Sequence, residues 1–125
     1  MKRKLKAFLF SLSLASLLAF ANHSQAQQEK TAIAKTLTDT LNSQLKLTAD
    51  QYPKVLSVNE SFISKSQQIK REGGNKLSQL KKMKTVGEER NKSLKMLLTD
   101  EQYQKYLAHQ KENKEMMKEH FKELH

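Results

Sequence analysis

Leu47-Thr48-Ala49-Asp50-Gln51-Tyr52 returns further along the chain as Leu98-Thr99-Asp100-Glu101-Gln102-Tyr103. Each copy reads as a helix start. The Thr hydroxyl at the N-cap accepts a hydrogen bond from an orphan backbone N–H, and the Gln three residues on reaches back to the Thr N–H. Asp50, Asp100 and Glu101 add negative charge to the first turn, where the helix dipole favours it. The leucine ahead of each Thr staples the entering chain onto the helix. Two such corners in one short chain organise it as helices.

Outward from these corners the apolar spacing is helical. Upstream, Ile33, Leu37, Leu41 and Leu45 recur in steps of four with Ala34 beside them. Thr31, Thr36, Thr38 and Thr40 lower the propensity and no cap is evident, so residues 27–46 are expected to form a short, loosely held helix. From Thr48 a second helix is expected to about Arg71, with Tyr52, Val55, Leu56, Phe62, Ile63 and Ile69 on one face. Val55, Phe62 and Ile69 have the seven-residue spacing of a coiled-coil seam. Pro53 removes one backbone hydrogen bond near its start without ending it. Gly73-Gly74-Asn75 does end it, since these residues tolerate the left-handed conformations of a reversal.

The third helix has Leu77, Leu80, Met83, Leu94, Leu97 and Leu98 on its apolar side. Thr85-Val86-Gly87-Glu88 has the form of a third capping box, so a break there and an uninterrupted helix both stay open. A last helix is expected over about 100–124, with Tyr103, Tyr106, Leu107, Met117, Phe121 and Leu124 in register. Gln110 and Lys114 interrupt its stripe, which implies a partly buried centre. No strand-like alternation is sustained and Val is scarce. The expected fold is all-α: a long antiparallel helical hairpin with a short flanking helix, the long helices near 35 Å at about 23 residues each.

Residues 1–26 read as a cleaved secretory signal peptide. Lys2, Arg3, Lys4 and Lys6 form a positive start, residues 7–21 an apolar run too short to span a bilayer, and Ser24-Gln25-Ala26 a cleavage site. Residues 27–125 would then be a single helical domain. The chain has no cysteine, so helix packing rather than disulfides must hold an exported fold. Of 23 basic residues in the whole chain, ten lie between Lys65 and Lys95, against Glu72, Glu88 and Glu89. Leu, Ile, Val and Phe are sparse for a chain this charged. A narrow apolar stripe on long helices favours pairing with a second copy, so a thin, cradle-like homodimer is expected.

The paired Leu-Thr-x-x-Gln phrases, in a small basic helical chain with an export signal, resemble the Spy/CpxP family of bacterial periplasmic proteins. Leu47, Thr48, Gln51, Leu98, Thr99 and Gln102 carry that resemblance and are structural. It implies periplasmic localisation and an ATP-independent, chaperone-like role in the envelope stress response, holding unfolded or misfolded proteins on a basic, partly apolar helical surface. The candidate client-binding residues are Phe62, Ile63, Lys65, Lys70, Arg71, Lys76, Lys81, Lys82, Met83 and Lys84. Their mixture of cations with adaptable apolar groups suits many partners. The alternative implied by the same family is an adaptor that inhibits an envelope-stress sensor kinase through its periplasmic domain, or a metal-responsive periplasmic sensor.

Other classes fare worse. His109, Met116 and His120 are the starting points for a metal site, with Glu112, Glu119 and His125 nearby. His109 and His120 are about 16 Å apart along one helix, too far to share an ion, so solvated helix-end histidines are the preferred reading and no cofactor or metal is expected. No nucleophile setting, phosphate loop or sheet supports an enzyme. Nucleic acid is excluded as a partner because no aromatics interleave with the basic run and the chain is exported. Contact with an anionic membrane surface through a Lys-rich helix ranks below protein binding.

Overall fold

The computed structural model describes residues 25–123, leaving the side chains of His120, Phe121 and Glu123 undescribed. The expected signal peptide therefore lies almost wholly outside the described residues, as do Leu124 and His125. The chain divides into two units between Lys30 and Thr31, and the packing below is that of the second, Thr31–His125. Among the described residues five helices follow one another: α1 (helical over 25–45), α2 (Gln51–Glu72), α3 (Lys76–Leu97), α4 (Asp100–Ala108) and α5 (Gln110–Glu123). No strand occurs among the described residues. The fold is all-α.

α2 and α3 form the long antiparallel hairpin. Their pairings step along both helices in opposite senses: Glu72 with Lys82, Lys65 with Glu89, Asn59 with Arg90, and Gln51 with the Leu97 carbonyl. The reversal uses positive φ at Gly73 (68°) and Gly74 (101°). Asn75, expected to help turn the chain, is extended and caps α3, its Oδ1 accepting from the Ser78 N–H at 2.7 Å. α3 runs unbroken through Thr85–Glu88. The Thr85 hydroxyl donates to the Lys81 carbonyl one turn back, so it cannot cap a new helix.

α1 is not loosely held. Ile33, Ala34, Leu37, Leu41 and Leu45 are all buried. The threonines that lower its propensity have their hydroxyls satisfied: Thr36, Thr38 and Thr40 donate to the carbonyls of Ala32, Ala34 and Thr36. Its C-terminus also has a cap that the sequence hid. Lys46 takes the left-handed conformation at φ 54°, and Asn42 Oδ1 accepts from the Leu47 N–H. Burial of one apolar stripe thus outweighs weak intrinsic propensity.

Two apolar clusters result. Toward the hairpin tip, Ile33, Ala34 and Leu37 of α1 pack with Phe62, Ile63, Ile69 and Val86. Toward the base, Leu41 and Leu45 pack with Val55, Leu94, Leu98 and Tyr106. α1 therefore covers the α2 stripe from within the same chain. The thinness of that stripe was the reason to expect a homodimer, and it no longer supplies one.

The expected last helix is divided at His109, where ψ is 1°. α4 lies across the end of α3, while α5 follows α1: Thr40 Oγ1 is 3.4 Å from Met116 Sδ, and Gln44 and Asn113 exchange hydrogen bonds of 3.1 and 3.2 Å. That amide pair buries Asn113. The half-buried centre expected near Gln110 is thus a specific contact with α1.

Candidate functional site

The two Leu-Thr-x-x-Gln corners meet. In each, the capping box is complete: Gln51 N–H donates to Thr48 Oγ1 and Gln51 Oε1 accepts from Thr48 N–H, and Gln102 repeats this with Thr99. The glutamines also join each other. Gln51 Nε2 donates to Gln102 Oε1 at 2.8 Å and to the Leu97 carbonyl at 3.1 Å; Gln102 Nε2 donates to Gln51 Oε1 at 3.0 Å and to the Leu45 carbonyl at 3.3 Å. The backbone partners fix which end of each amide is nitrogen. Each glutamine thus caps its own helix and ties off the helix that precedes the other corner. The six motif residues form the base of the fold.

Between the apolar clusters lies a buried polar line that the sequence reading missed. Thr38 Oγ1 accepts from Asn59 Nδ2 (2.9 Å), Asn59 Oδ1 from Arg90 Nε (2.9 Å), and the Tyr106 hydroxyl from Arg90 Nη1 (3.2 Å) before donating to Asn91 (2.6 Å). It joins α1, α2, α3 and α4. Arg90, grouped by sequence with the exposed basic run, is only 6% exposed and has its guanidinium over the rings of Phe62 and Tyr106, at 5.1 and 5.8 Å. Burial pushes its pKa down from the ordinary value, with Tyr106 acting in the opposite sense. Burial likewise raises that of Tyr106. Arg90 has no carboxylate partner among the described residues; its neighbours Glu88 and Glu89 face Lys84 and Lys65.

Arg90 also borders an open groove of about 910 Å³. Its apolar lining is Phe62, Ile69, Leu80, Met83 and Met117. Lys70 and Lys84 stand on the hairpin side and Lys114, Lys118 and Lys122 on the α5 side, against one acidic residue, Glu88. The groove exists because α5 packs on α1 and not on α3, no Cα of the one coming within 8 Å of the other.

At the hairpin tip the expected client residues separate into two groups. Phe62 and Ile63, 6% and 0% exposed, belong to the core, and Met83 is half-buried against it. The charged residues are outside. Lys65 pairs with Glu89 at 2.6 Å and Lys82 with Glu72 at 3.4 Å, while Lys70, Lys76 and Lys81 make no ion pair among the described residues. The Gln68 amide, followed by Lys82, holds the Glu72 carboxyl below its ordinary pKa. The apolar component falls instead to Leu77 and Leu80, expected on a buried face but 63% and 59% exposed, and farther along α3 to Met96 at 82%. Leu77 and Leu80 belong to neither apolar cluster.

Among the metal candidates, His109 Nδ1 is 3.2 Å from Glu112, Met116 faces Thr40, and the His120 side chain is outside the described residues. No three His, Cys, Asp or Glu side chains gather as a metal site among the described residues. None of the described helices is long and apolar enough to cross a membrane.

Fold and surface define a small all-α protein with a glutamine-locked base, a cationic tip and an apolar groove. The chain belongs to the family described as a domain of unknown function, DUF4890, which matches residues 19–106. That span includes both corners, the tip and the whole buried polar line, and stops short of α5. No curated protein and no solved structure matches the chain.

Proposed function

We propose that the protein is an ATP-independent, chaperone-like protein of the bacterial periplasm that holds unfolded or misfolded envelope proteins, in the manner of the Spy/CpxP proteins its repeated phrase resembles. The observation that carries this reading is the tip: Leu77 and Leu80, each more than half exposed, lie next to Lys76, Lys81 and Lys82, with Lys70 and Arg71 across the turn. A positive field raises the encounter rate with acidic or unfolded chains. Exposed leucines then give brief, non-directional contact with aggregation-prone segments. The interlocked base holds the two long helices so that this end stays presented.

The test is light scattering of a denatured, unrelated protein diluted into buffer without ATP, with and without this protein, at low and high salt. Suppression that weakens with salt is expected, because exposed charges are screened within about 8 Å at physiological ionic strength. Lys81→Glu with Lys82→Glu is expected to weaken suppression and flatten its salt dependence. Absence of suppression at several-fold excess would refute the chaperone reading, and undiminished suppression by the double variant would refute the role of the tip.

A further inference from the structure

The groove between α3 and α5 shares Lys70 and Leu80 with the tip but extends away from it to Arg90 and α5, where its chemistry is more selective. Its floor is apolar, its rim has five lysines against Glu88, and its wall contains Arg90. Arg90 is the unusual element. A guanidinium remains charged in proteins, and a buried cation is normally paired with a carboxylate. Here two of its five N–H donors go to neutral oxygens, on Asn59 and Tyr106, and no described carboxylate lies within reach. A carboxylate arriving in the groove would supply the missing charge through charge-assisted hydrogen bonds.

The volume narrows the occupant. About 910 Å³ falls within the roughly 300–1,000 Å³ of small-molecule sites. A helix about 10 Å across, rising 1.5 Å per residue, takes roughly 120 Å³ per residue, so the groove would enclose only about two turns of a partner helix. An extended peptide would find no strand edge, since the flanking backbones are helical and internally bonded. A single apolar chain ending in an anion needs neither.

We propose that this groove binds a single-chain anionic amphiphile of the fatty-acid class, its carboxylate at Arg90 and its tail along Phe62, Met83, Ile69 and Leu80 toward the hairpin tip. The α5 lysines close over the tail with their own methylene stems and keep their ammonium groups in water. Gly87 leaves the passage open: it lines the groove, and a Cβ added there would meet nothing within 4 Å.

The experiment is calorimetric titration of the full chain with sodium laurate below its micelle concentration, against dodecyltrimethylammonium, which has the same tail length and the opposite head charge. Saturable binding of one laurate is expected, at least about tenfold tighter than the cationic amphiphile, as one charge-assisted contact implies. Gly87→Phe is expected to abolish laurate binding by filling the groove while preserving helical content by circular dichroism. Arg90→Gln is expected to weaken laurate at least about tenfold and leave the cationic amphiphile unchanged; should that variant fail to fold, the head-group comparison and Gly87→Phe carry the test. Equal affinity for both head groups, or laurate binding indifferent to Gly87→Phe, would overturn the proposal. So would a doubled mass in sedimentation with no laurate heat, which would assign the groove to a second copy. Lys81 and Lys82 do not line the groove, so Lys81→Glu with Lys82→Glu should retain laurate binding even where client holding is lost.

Discussion

Replacing Gln51 and Gln102 by alanine, singly and together, tests whether the two corners act as one unit. Gln51 takes part in four side-chain hydrogen bonds: with the Thr48 N–H, with the Leu97 carbonyl, and two with Gln102. Gln102 mirrors this with the Thr99 N–H and the Leu45 carbonyl. A net value of about 0.5–1.5 kcal/mol per bond, taken at its lower half because both side chains are only part-buried, gives a loss of roughly 2–4 kcal/mol for either single variant. Each single substitution already removes both shared bonds. The double variant therefore falls short of the sum of the singles by the worth of those two bonds, about 1–2 kcal/mol.

Urea unfolding followed by circular dichroism at 222 nm measures all four corners of the cycle. Thr48→Ala and Thr99→Ala supply the control. Each removes a cap worth about 1 kcal/mol, and the two hydroxyls share no bond, so their effects should add. If the Gln51 and Gln102 losses also add within about 0.3–0.5 kcal/mol, the glutamines are independent caps and the interlocked base is refuted.

Two further outcomes follow from the fold. Asn59→Ala removes the partner of Thr38 and one partner of the buried Arg90, and should cost about 2–4 kcal/mol by urea unfolding; a loss below about 0.5 kcal/mol, the range of ordinary surface changes, would show that the polar line does not hold the helices. Asp39 of α1 is held below its ordinary pKa of 3.8 by the Lys35 ammonium and then by the Tyr52 hydroxyl of α2. A lowered folded-state pKa contributes stability that is present above the unfolded value and lost as pH falls through the folded one. Wild type and Asp39→Asn should therefore converge in stability as pH drops below the ordinary aspartate value, and parallel acid-unfolding curves across that window would exclude the contact.

The parts of the fold legible in the sequence are those decided within a few residues. Thr48 with Gln51, Thr99 with Gln102, and the glycine pair at 73–74 each declare a local geometry, and each has it. That the two glutamines also bind each other was invisible, because capping chemistry specifies the Thr partner and says nothing of the second corner 51 residues away. Burial misled in both directions for the same reason. Leu77 and Leu80 have the spacing of a core face, but spacing identifies a face without saying whether another helix covers it. Arg90 reads as one more cation in a basic run, yet it is the only member of that run whose helix position faces Asn59 and Tyr106 together. The acids closest to it in sequence, Glu88 and Glu89, pair instead with Lys84 of α3 and Lys65 of α2. A charge count over residues 65–95 treats all ten cations as equivalent, whereas burial separates one that organises the interior from nine that address the solvent or the groove. The positive tip and the uncompensated Arg90 therefore attract anions of different kinds, the first by a screened long-range field and the second by short-range, desolvated contact, so salt should distinguish two binding activities that composition merges into one.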